Sequence, residues 1–207
     1  APTINAQWPY NNCGGYSCPS CNPWPPAQNN MQEKVEKVAV SVYYESLCPD
    51  SRDIFTHELC PNWSKISDYV HLKLVPFGKA SSVSSGFDCQ HGPKECYGNM
   101  FQSCAFSMLQ PGTKQLNFAC CFMANPYDYS SCLRRAGLAA SEVRRCMTSG
   151  EGRELQLIAE VDTKHNTNGP SYVPTVVFNK KFNETDMKMI KNGQFMSVLC
   201  RYEKRVC

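Results

Sequence analysis

The sequence lacks a hydrophobic run long enough to cross a membrane and lacks an excess of one charge. Its longest apolar stretches, near 38–44, 118–124 and 173–178, are far shorter than the roughly 18 residues of a membrane span. A net charge of +3 predicts no large basic surface for nucleic acid or an acidic membrane. No internal repeat and no leader at Ala1 is evident, so we interpret the 207 residues as a mature chain with one domain and an appendage.

Cysteine, in contrast, is abundant, with 14 residues in the chain. Reducing compartments rarely tolerate so many, so the composition predicts folding in the oxidising secretory pathway and a secreted or lysosomal protein. Two glycosylation sequons, at Asn62 and Asn183, agree with this prediction.

Residues 1–32 differ in composition from residues 33–207. Six prolines are mixed there with Asn, Trp and Tyr, and no helical or alternating period survives. Because proline blocks helices and removes hydrogen-bond donors, we predict an irregular N-terminal arm. The arm contains Cys13, Cys18 and Cys21, and the last two form a Cys-x-x-Cys motif. This motif has no predicted strand before it and no predicted helix after it, which favours a structural disulfide over a redox role.

Residues 33–207 show the element order of an α/β protein. The periodicities predict, in order, a polar helix-forming stretch at 31–37, a buried strand at 38–44, a helix at 48–60, a strand at 69–77, a Ser/Gly loop at 79–88, a cysteine-rich helical block at 93–146, a helix at 151–165, a strand at 172–178, a short strand at 182–183 and a helix at 184–200. Strands around helices predict an α/β sandwich in which a helical insertion occupies about 79–149.

Cys48 lies between a buried strand and the start of a predicted helix. A helix N-terminus supplies free N–H groups and positive partial charge, which favour thiolate over thiol. Pro49 suits the first helical turn, where its missing N–H costs nothing. The position therefore predicts a reactive thiol, and an enzymatic function further predicts that this thiol is exposed; the alternative is one more buried or bridged cysteine.

Two segments carry a more specific signal. Residues 43–51 read Tyr-Tyr-Glu-Ser-Leu-Cys-Pro-Asp-Ser, and residues 89–104 contain Cys-Gln-His-Gly, two residues, Glu-Cys, two residues, Asn, four residues and Cys. Together they resemble the active-site segment and the signature of the gamma-interferon-inducible lysosomal thiol reductases, in particular the arthropod members. The signature residues here are Cys89, Gln90, His91, Gly92, Glu95, Cys96, Asn99 and Cys104. The resemblance spans about 37–207.

The resemblance implies a thioredoxin-like fold that reduces protein disulfides in an acidic compartment, with Cys48 as the catalytic cysteine. It also implies that Pro174 is cis and packs against Cys48, so that the backbone of Val173, beside Tyr172, is free to pair with an extended substrate. Four structural disulfides are implied among Cys89, Cys96, Cys104, Cys132, Cys146, Cys200, Cys207 and one of Cys120 and Cys121.

One position departs from the family pattern, because Ser51 stands where the second cysteine of Cys-x-x-Cys is usual. Ser51 can hydrogen-bond the Cys48 thiolate but has no sulfur with which to resolve a mixed disulfide. Asp50 adds a negative charge that we expect to oppose thiolate formation. Both effects predict weak or absent dithiol reduction.

Two functions therefore stay open, and the sequence leaves enzyme status undecided. The favoured one is protein binding through the arm or through the insertion, where Arg134 and Arg135 form a basic pair. The alternative is disulfide exchange by a monothiol mechanism, in which an external small thiol resolves Cys48. The expected partner is thus a disulfide-bonded protein substrate or a protein ligand, and no nucleic acid.

We predict no cofactor and no metal. A zinc site of His91 with Cys89, Cys96 and Cys104 is the alternative, but the spacing lacks the paired Cys-x₂-Cys clip, and His91 is expected to make a loop hydrogen bond. If eight cysteines pair and Cys48 is free, an odd number is left, which allows a monomer or a disulfide-linked dimer. Cys60 is expected to anchor the arm.

Overall fold

The computed structural model describes residues 36–207. The predictions for the arm at 1–32, including Cys13, Cys18 and Cys21, lie outside the described residues, as does most of the helix-forming stretch at 31–37; Glu36 and Lys37 are not helical. The division into an arm and a second region stays a prediction.

The described residues form a small central sheet surrounded by helices. In chain order the elements are β1 (Val38–Tyr44), α1 (Pro49–Asp53), a π-helical stretch (Ile54–Leu59), α2 (Cys60–Ile66), β2 (Val70–Pro76), β3 (Ser81–Val83), β4 (Gly86–Asp88), α3 (Pro93–Met108), α4 (Thr113–Ala124), α5 (Tyr129–Ala136), α6 (Ala140–Thr148), α7 (Glu151–Thr167), β5 (Thr175–Phe178), α8 (Glu184–Lys191), α9 (Phe195–Tyr202) and a 3₁₀ turn (Lys204–Val206). The predicted α/β class is confirmed.

β1 is the middle strand of the sheet order β2-β1-β5. It runs parallel to β2 and antiparallel to β5, so that Val40 lies opposite both Leu72 and Phe178. A strand covered on both faces needs apolar side chains on both, and Val40, Val42 and Tyr43 are almost completely buried.

The helical run after β1 is longer than the sequence predicts. α1, the π-helical stretch and α2 follow one another from Pro49 to Ile66, past the predicted end at Cys60. Pro61 is accepted in the first turn of α2, where its missing N–H is least costly. The Phe55 ring of this run packs 4.6 Å from the ring of Tyr44 on β1, which joins the helix to the sheet.

The helical block contains its own aromatic core. The ring of Phe101 on α3 lies 5.8, 5.7 and 4.7 Å from the rings of Phe118, Phe122 and Tyr129. Tyr44 connects this core to the sheet, because its hydroxyl donates a hydrogen bond to Gln102 Oε1 at 2.7 Å.

Several predicted boundaries are wrong. The predicted loop at 79–88 contains the antiparallel hairpin β3-β4, and β5 begins at Thr175 rather than at Tyr172. The predicted strand at 182–183 is absent from this part of the described chain, where a single bridge joins Phe178 to Lys181. The last helix is split in two because Gly193 adopts a φ of 70°.

Five disulfides cross-link the described residues. They join Cys60–Cys120, Cys89–Cys96, Cys104–Cys146, Cys121–Cys132 and Cys200–Cys207. Four of the five use the implied structural set, with Cys121 as its eighth member. The expectation that Cys60 anchors the arm is wrong, because Cys60 pairs with Cys120. The zinc alternative is wrong as well, because all three of its cysteines are bridged.

Candidate functional site

Cys48 lies where β1 meets the first helical run, at the N-cap of α1. Among the residues that the structure describes it is the one cysteine outside a disulfide. Its side chain is buried, with 7% of the residue exposed, which contradicts the exposure that the enzymatic hypothesis predicts. The thiol donates a hydrogen bond of 3.6 Å to the Val173 carbonyl oxygen.

The Val173–Pro174 peptide bond is cis, as the resemblance implies. It precedes β5 and places the Val173 carbonyl against Cys48. Tyr172 is partly covered, since Lys191 Nζ lies 4.0 Å from its ring centroid. The Tyr172 hydroxyl is buried and has no hydrogen-bond partner among residues 36–207.

Ser51 is completely buried beside Cys48. Its hydroxyl oxygen accepts a hydrogen bond from the Glu45 N–H at 3.3 Å. The Ser51 side chain and N–H also hydrogen-bond the Cys48 sulfur and favour its ionised form. Ser51 therefore fills the resolving position as a hydrogen-bonding group, as the sequence predicts.

Burial raises the pKa of the Cys48 thiol. The negative charge of Glu45 raises it further, while hydrogen bonds from Ser51 and from the Asp50 N–H oppose the shift. From the helix N-terminus, the sequence predicts a lowered pKa for Cys48, and this prediction is wrong. The loss of hydration on burial outweighs the helix terminus, and the depth of burial is not visible in a sequence. The acidic residue that opposes ionisation is Glu45 and not the predicted Asp50.

The signature residues dock α3 against the Cys48 loop. Asn99 Oδ1 accepts a hydrogen bond from the Ser46 N–H at 2.8 Å, and Ser46 Oγ donates to the Glu95 carbonyl oxygen at 3.0 Å. Gly98 allows this close approach, since a Cβ at its position would lie 2.5 Å from Ser46 Oγ.

The rest of the signature shapes the turn into α3. Gly92 has a φ of 80°, which favours glycine, and Gln90 is exposed. His91 Nδ1 donates to Glu95 Oε2 at 2.6 Å, so the predicted loop hydrogen bond is present, and the same atom lies 3.3 Å from Glu45 Oε2. Cys89–Cys96 closes the turn.

A family comparison identifies the chain. The model of the gamma-interferon-inducible lysosomal thiol reductase (GILT) family matches residues 39–149, which include Cys48 and the complete signature. The chain belongs to the GILT family.

Relatives from distant animals extend the match beyond that segment. GILT-like protein 1 of Drosophila melanogaster is 33% identical, with 83% of this chain and 78% of the relative covered. The gamma-interferon-inducible lysosomal thiol reductase of Mus musculus is 31% identical, with 79% and 67% covered.

Solved structures support the thioredoxin-like fold of this GILT-family chain. The thiol-disulfide exchange protein alpha-DsbA2 from Wolbachia pipientis matches with a TM-score of 0.52 at 8% identity, covering 78% of this chain and 82% of that one. DsbA from Mycobacterium tuberculosis in its reduced form matches with a TM-score of 0.51 at 18% identity, covering 84% and 86%. Fold and family together support a thiol-related function.

Sequence reasoning misses Glu45 as a member of this GILT-family site. Its side chain is completely buried, and burial raises the pKa of its carboxyl group. Glu45 contacts both the Cys48 loop and the signature turn, through Ser51 and His91. An acidic residue at the end of a strand buried on both faces is the signal that could have found it, since unpaired buried carboxylates are costly.

A groove of about 520 Å³ lies next to the cis-proline turn and the start of α1, and Cys48 is not among its lining residues. The lining combines apolar and charged side chains: Asp50, Asp53, Ile54, His57, Glu58, Pro174, Met187, Ile190, Lys191 and Gly193. The groove therefore joins the first helical run to the cis-proline turn and to α8.

The two sequons lie in different environments. Asn183 is exposed at the N-cap of α8, whereas Asn62 is partly buried in α2 and its amide donates to the Glu58 carbonyl oxygen at 2.8 Å. Glycosylation at either site stays a prediction. In residues 36–207 no helix combines the length and apolarity needed to cross a membrane.

Proposed function

We propose that this GILT-family protein binds protein partners and has weak or no dithiol reductase activity. The observation that carries the proposal is the buried hydroxyl of Ser51 beside the free thiol of Cys48. A dithiol enzyme forms a mixed disulfide with its first cysteine and resolves it with its second. Ser51 cannot take the second step, so a partner attached to Cys48 has no internal route of release.

The state of Cys48 supports weak reactivity as well. A cysteine residue that is only 7% exposed gives a macromolecular disulfide little access, and the raised pKa of its thiol leaves less thiolate at a given pH. Ser51 offsets part of this shift but not all of it.

The surface around the site offers room for a protein ligand. The groove next to the cis-proline turn has Ile54, Pro174 and Met187 in its lining beside charged residues, and concave surfaces that combine apolar and polar groups suit recognition. Arg134 and Arg135 are exposed on α5 and supply a second contact surface in the helical block. We propose that a disulfide-bearing or other protein partner uses these surfaces.

Monothiol exchange is the second candidate, and the free Cys48 thiol favours it. The Cys48 thiolate would attack one sulfur of a substrate disulfide, forming a mixed disulfide and releasing one substrate thiolate. One small thiol would then release the second substrate thiol and remain bonded to Cys48. A second small thiol would regenerate Cys48 and leave as the small-molecule disulfide, so two small thiols are oxidised for each substrate disulfide reduced.

An insulin-disulfide reduction assay at acidic and neutral pH tests the proposal. We expect little turnover by the natural chain and an increase of roughly tenfold or more for Ser51→Cys, because the variant restores the resolving thiol. Ser141→Ala, a substitution at an exposed serine of α6, is the matched control and should leave turnover unchanged.

Two results would overturn the proposal. One is insulin reduction by the natural chain, with a small thiol as reductant, that equals the Ser51→Cys rate and disappears in Cys48→Ala, which would establish the monothiol enzyme. The other is a Ser51→Cys variant that folds and exposes both thiols without gaining activity.

The five disulfides fit folding in an oxidising compartment. We propose a secreted or lysosomal location on this basis and on the family. Whether the chain is a monomer or a disulfide-linked dimer is tested by its mobility in non-reducing electrophoresis before and after Cys48→Ala.

A further inference from the structure

A second cluster of functional groups lies behind the Cys48 loop. It contains Glu45 at the end of β1, His91 in the signature turn and Glu95 in the first turn of α3, with one ligand atom from each residue within 4.8 Å of the others. His91 Nδ1 lies 2.6 Å from Glu95 Oε2 and 3.3 Å from Glu45 Oε2. Glu45 thus directs a donor atom at the same point as His91 and Glu95, which are distant from it in sequence but only four residues apart.

Within residues 36–207, few cations face the two carboxyl groups of this cluster. The side chains of Glu45 and Glu95 are fully buried; the His91 imidazole faces both, and the charge of Lys79 also acts on Glu45. Glu45 Oε2 is buried and has no hydrogen-bond partner within residues 36–207, because the Nδ1–H of His91 is directed at Glu95. Buried carboxylate oxygens are normally paired or bound to a metal, so this oxygen points to a missing cation.

The backbone holds the remaining carboxylate oxygens in place. Glu45 Oε1 accepts a hydrogen bond from the Lys79 N–H at 2.8 Å, and Glu95 Oε1 accepts one from the His91 N–H at 3.0 Å. Each glutamate is therefore anchored through one oxygen and presents the other to Nδ1. Such outer contacts orient the ligands of a metal site before the ion arrives.

One disulfide and one glycine fit the same geometry. The Cys89–Cys96 disulfide holds the ends of the signature turn with a Cα–Cα distance of 5.6 Å. Gly78 leaves space for Glu45, since a Cβ at that position would overlap the Glu45 side chain. About a third of the His91 side chain is exposed, which gives an ion a path from solvent.

We propose that Glu45, His91 and Glu95 bind a divalent transition-metal ion of the Zn²⁺ type. One imidazole nitrogen and two carboxylate oxygens are ligands that zinc accepts, whereas calcium and magnesium require a larger set of oxygens. The ion replaces the proton that Nδ1 donates to Glu95, and this proton leaves to solvent. Water from the exposed side of His91 completes the coordination.

This site goes beyond the proposed function and is independent of exchange at Cys48. It differs from the cysteine-based zinc site excluded above, and it revises the prediction that the chain binds no metal.

Isothermal titration calorimetry of the full, oxidised, chelator-treated chain with ZnCl₂ tests the proposal. We expect one Zn²⁺ per chain at this site, with affinity reduced by roughly 100-fold or more in His91→Gln because a direct ligand is lost. His165→Gln, which changes an exposed histidine of α7, is the matched control and should bind as the natural chain does. Cys48→Ala should bind equally well.

Cobalt substitution gives a second readout that does not depend on activity. Co²⁺ at a nitrogen and oxygen site produces visible ligand-field bands without the near-ultraviolet charge-transfer band of sulfur ligation. We expect this spectrum in the natural chain and its loss in His91→Gln, whose fold is checked by circular dichroism.

Three results would overturn the proposal. The first is no Zn²⁺ uptake by the natural chain, which would mean that a proton alone balances the cluster. The second is uptake that survives in His91→Gln. The third is uptake that disappears in Cys48→Ala or shows the sulfur band, which would place the metal at Cys48.

Discussion

The central sheet and the helical block differ in the state of their cysteines. The sheet ends at a reduced cysteine, Cys48, and none of the five disulfides joins two of its strands. The block from α3 to α6 contains Cys104–Cys146 and Cys121–Cys132, and Cys60–Cys120 connects α2 to α4.

The difference shows where each region obtains its stability. β1 is paired on both sides and buried on both faces, so hydrogen bonding and apolar burial hold the sheet together. In the block, α5 and α6 have only 8 and 9 residues, and short helices depend on tertiary support. Cross-links supply part of that support, whereas no disulfide joins two strands of the sheet.

The largest expected effect comes from the sheet core. Phe178 on β5 is 1% exposed, and its ring stacks on Tyr202 with a centroid distance of 4.6 Å. Phe178→Ala should lower the free energy of unfolding by about 3–5 kcal/mol, because it leaves a cavity. Denaturant unfolding followed by circular dichroism measures the loss. Phe182→Ala, at a residue that is 40% exposed, should change stability by less than about 0.5 kcal/mol. Equal losses in the two variants would refute the importance of the buried sheet.

The next effect comes from the block. Joint replacement of Cys104 and Cys146 by alanine should cost about 2–4 kcal/mol, since this disulfide restrains a separation of 42 residues in the unfolded chain. Joint replacement of Cys200 and Cys207 should cost about 1–2 kcal/mol less, because that separation is 7 residues. The same unfolding measurement compares them. If the terminal pair costs as much as the buried pair, loop length does not explain the contribution of the disulfides.

The smallest effect concerns the free thiol. Ser51→Ala removes a hydrogen bond that lowers the Cys48 pKa, so the pKa should rise further and the thiolate fraction at neutral pH should fall. A hydrogen bond to a charged group contributes about 1.5 kcal/mol or more, which predicts Cys48 alkylation slower by roughly tenfold. Mass spectrometry of the Cys48 peptide, after iodoacetamide treatment across a pH series, gives the rate.

In the natural chain the alkylation rate of Cys48 should keep rising as the pH increases above the ordinary cysteine pKa. A faster rate in Ser51→Ala would show that the serine restricts access and does not stabilise the thiolate.

Local patterns were enough to predict much of the fold. β1 and β2 were found because apolar and β-branched residues run through them, and the helix after Cys48 was found from its spacing and from Pro49. The junction that places Cys48 at the end of a strand could therefore be predicted. The fold family came from the signature at 89–104 and not from periodicity.

Contacts between distant segments could not be predicted. Glu45 and His91 are brought together by the docking of α3 on the end of β1. Cys60 pairs with Cys120 because α2 packs against α4, a choice that spacing leaves open. The direction of the Cys48 pKa shift was missed for a related reason. The helix terminus is visible in the sequence, whereas the depth of burial that outweighs it is a property of the assembled fold.

Gly98 determines how closely α3 approaches the Cys48 loop. Its missing side chain lets α3 rest directly on Ser46, two residues from Cys48 and one from Glu45. Gly98→Ala would act as a wedge that pushes the helix and the cysteine loop apart. The distance between the disulfide-linked block and the Cys48 loop is therefore set at a position where no residue larger than glycine fits without a shift.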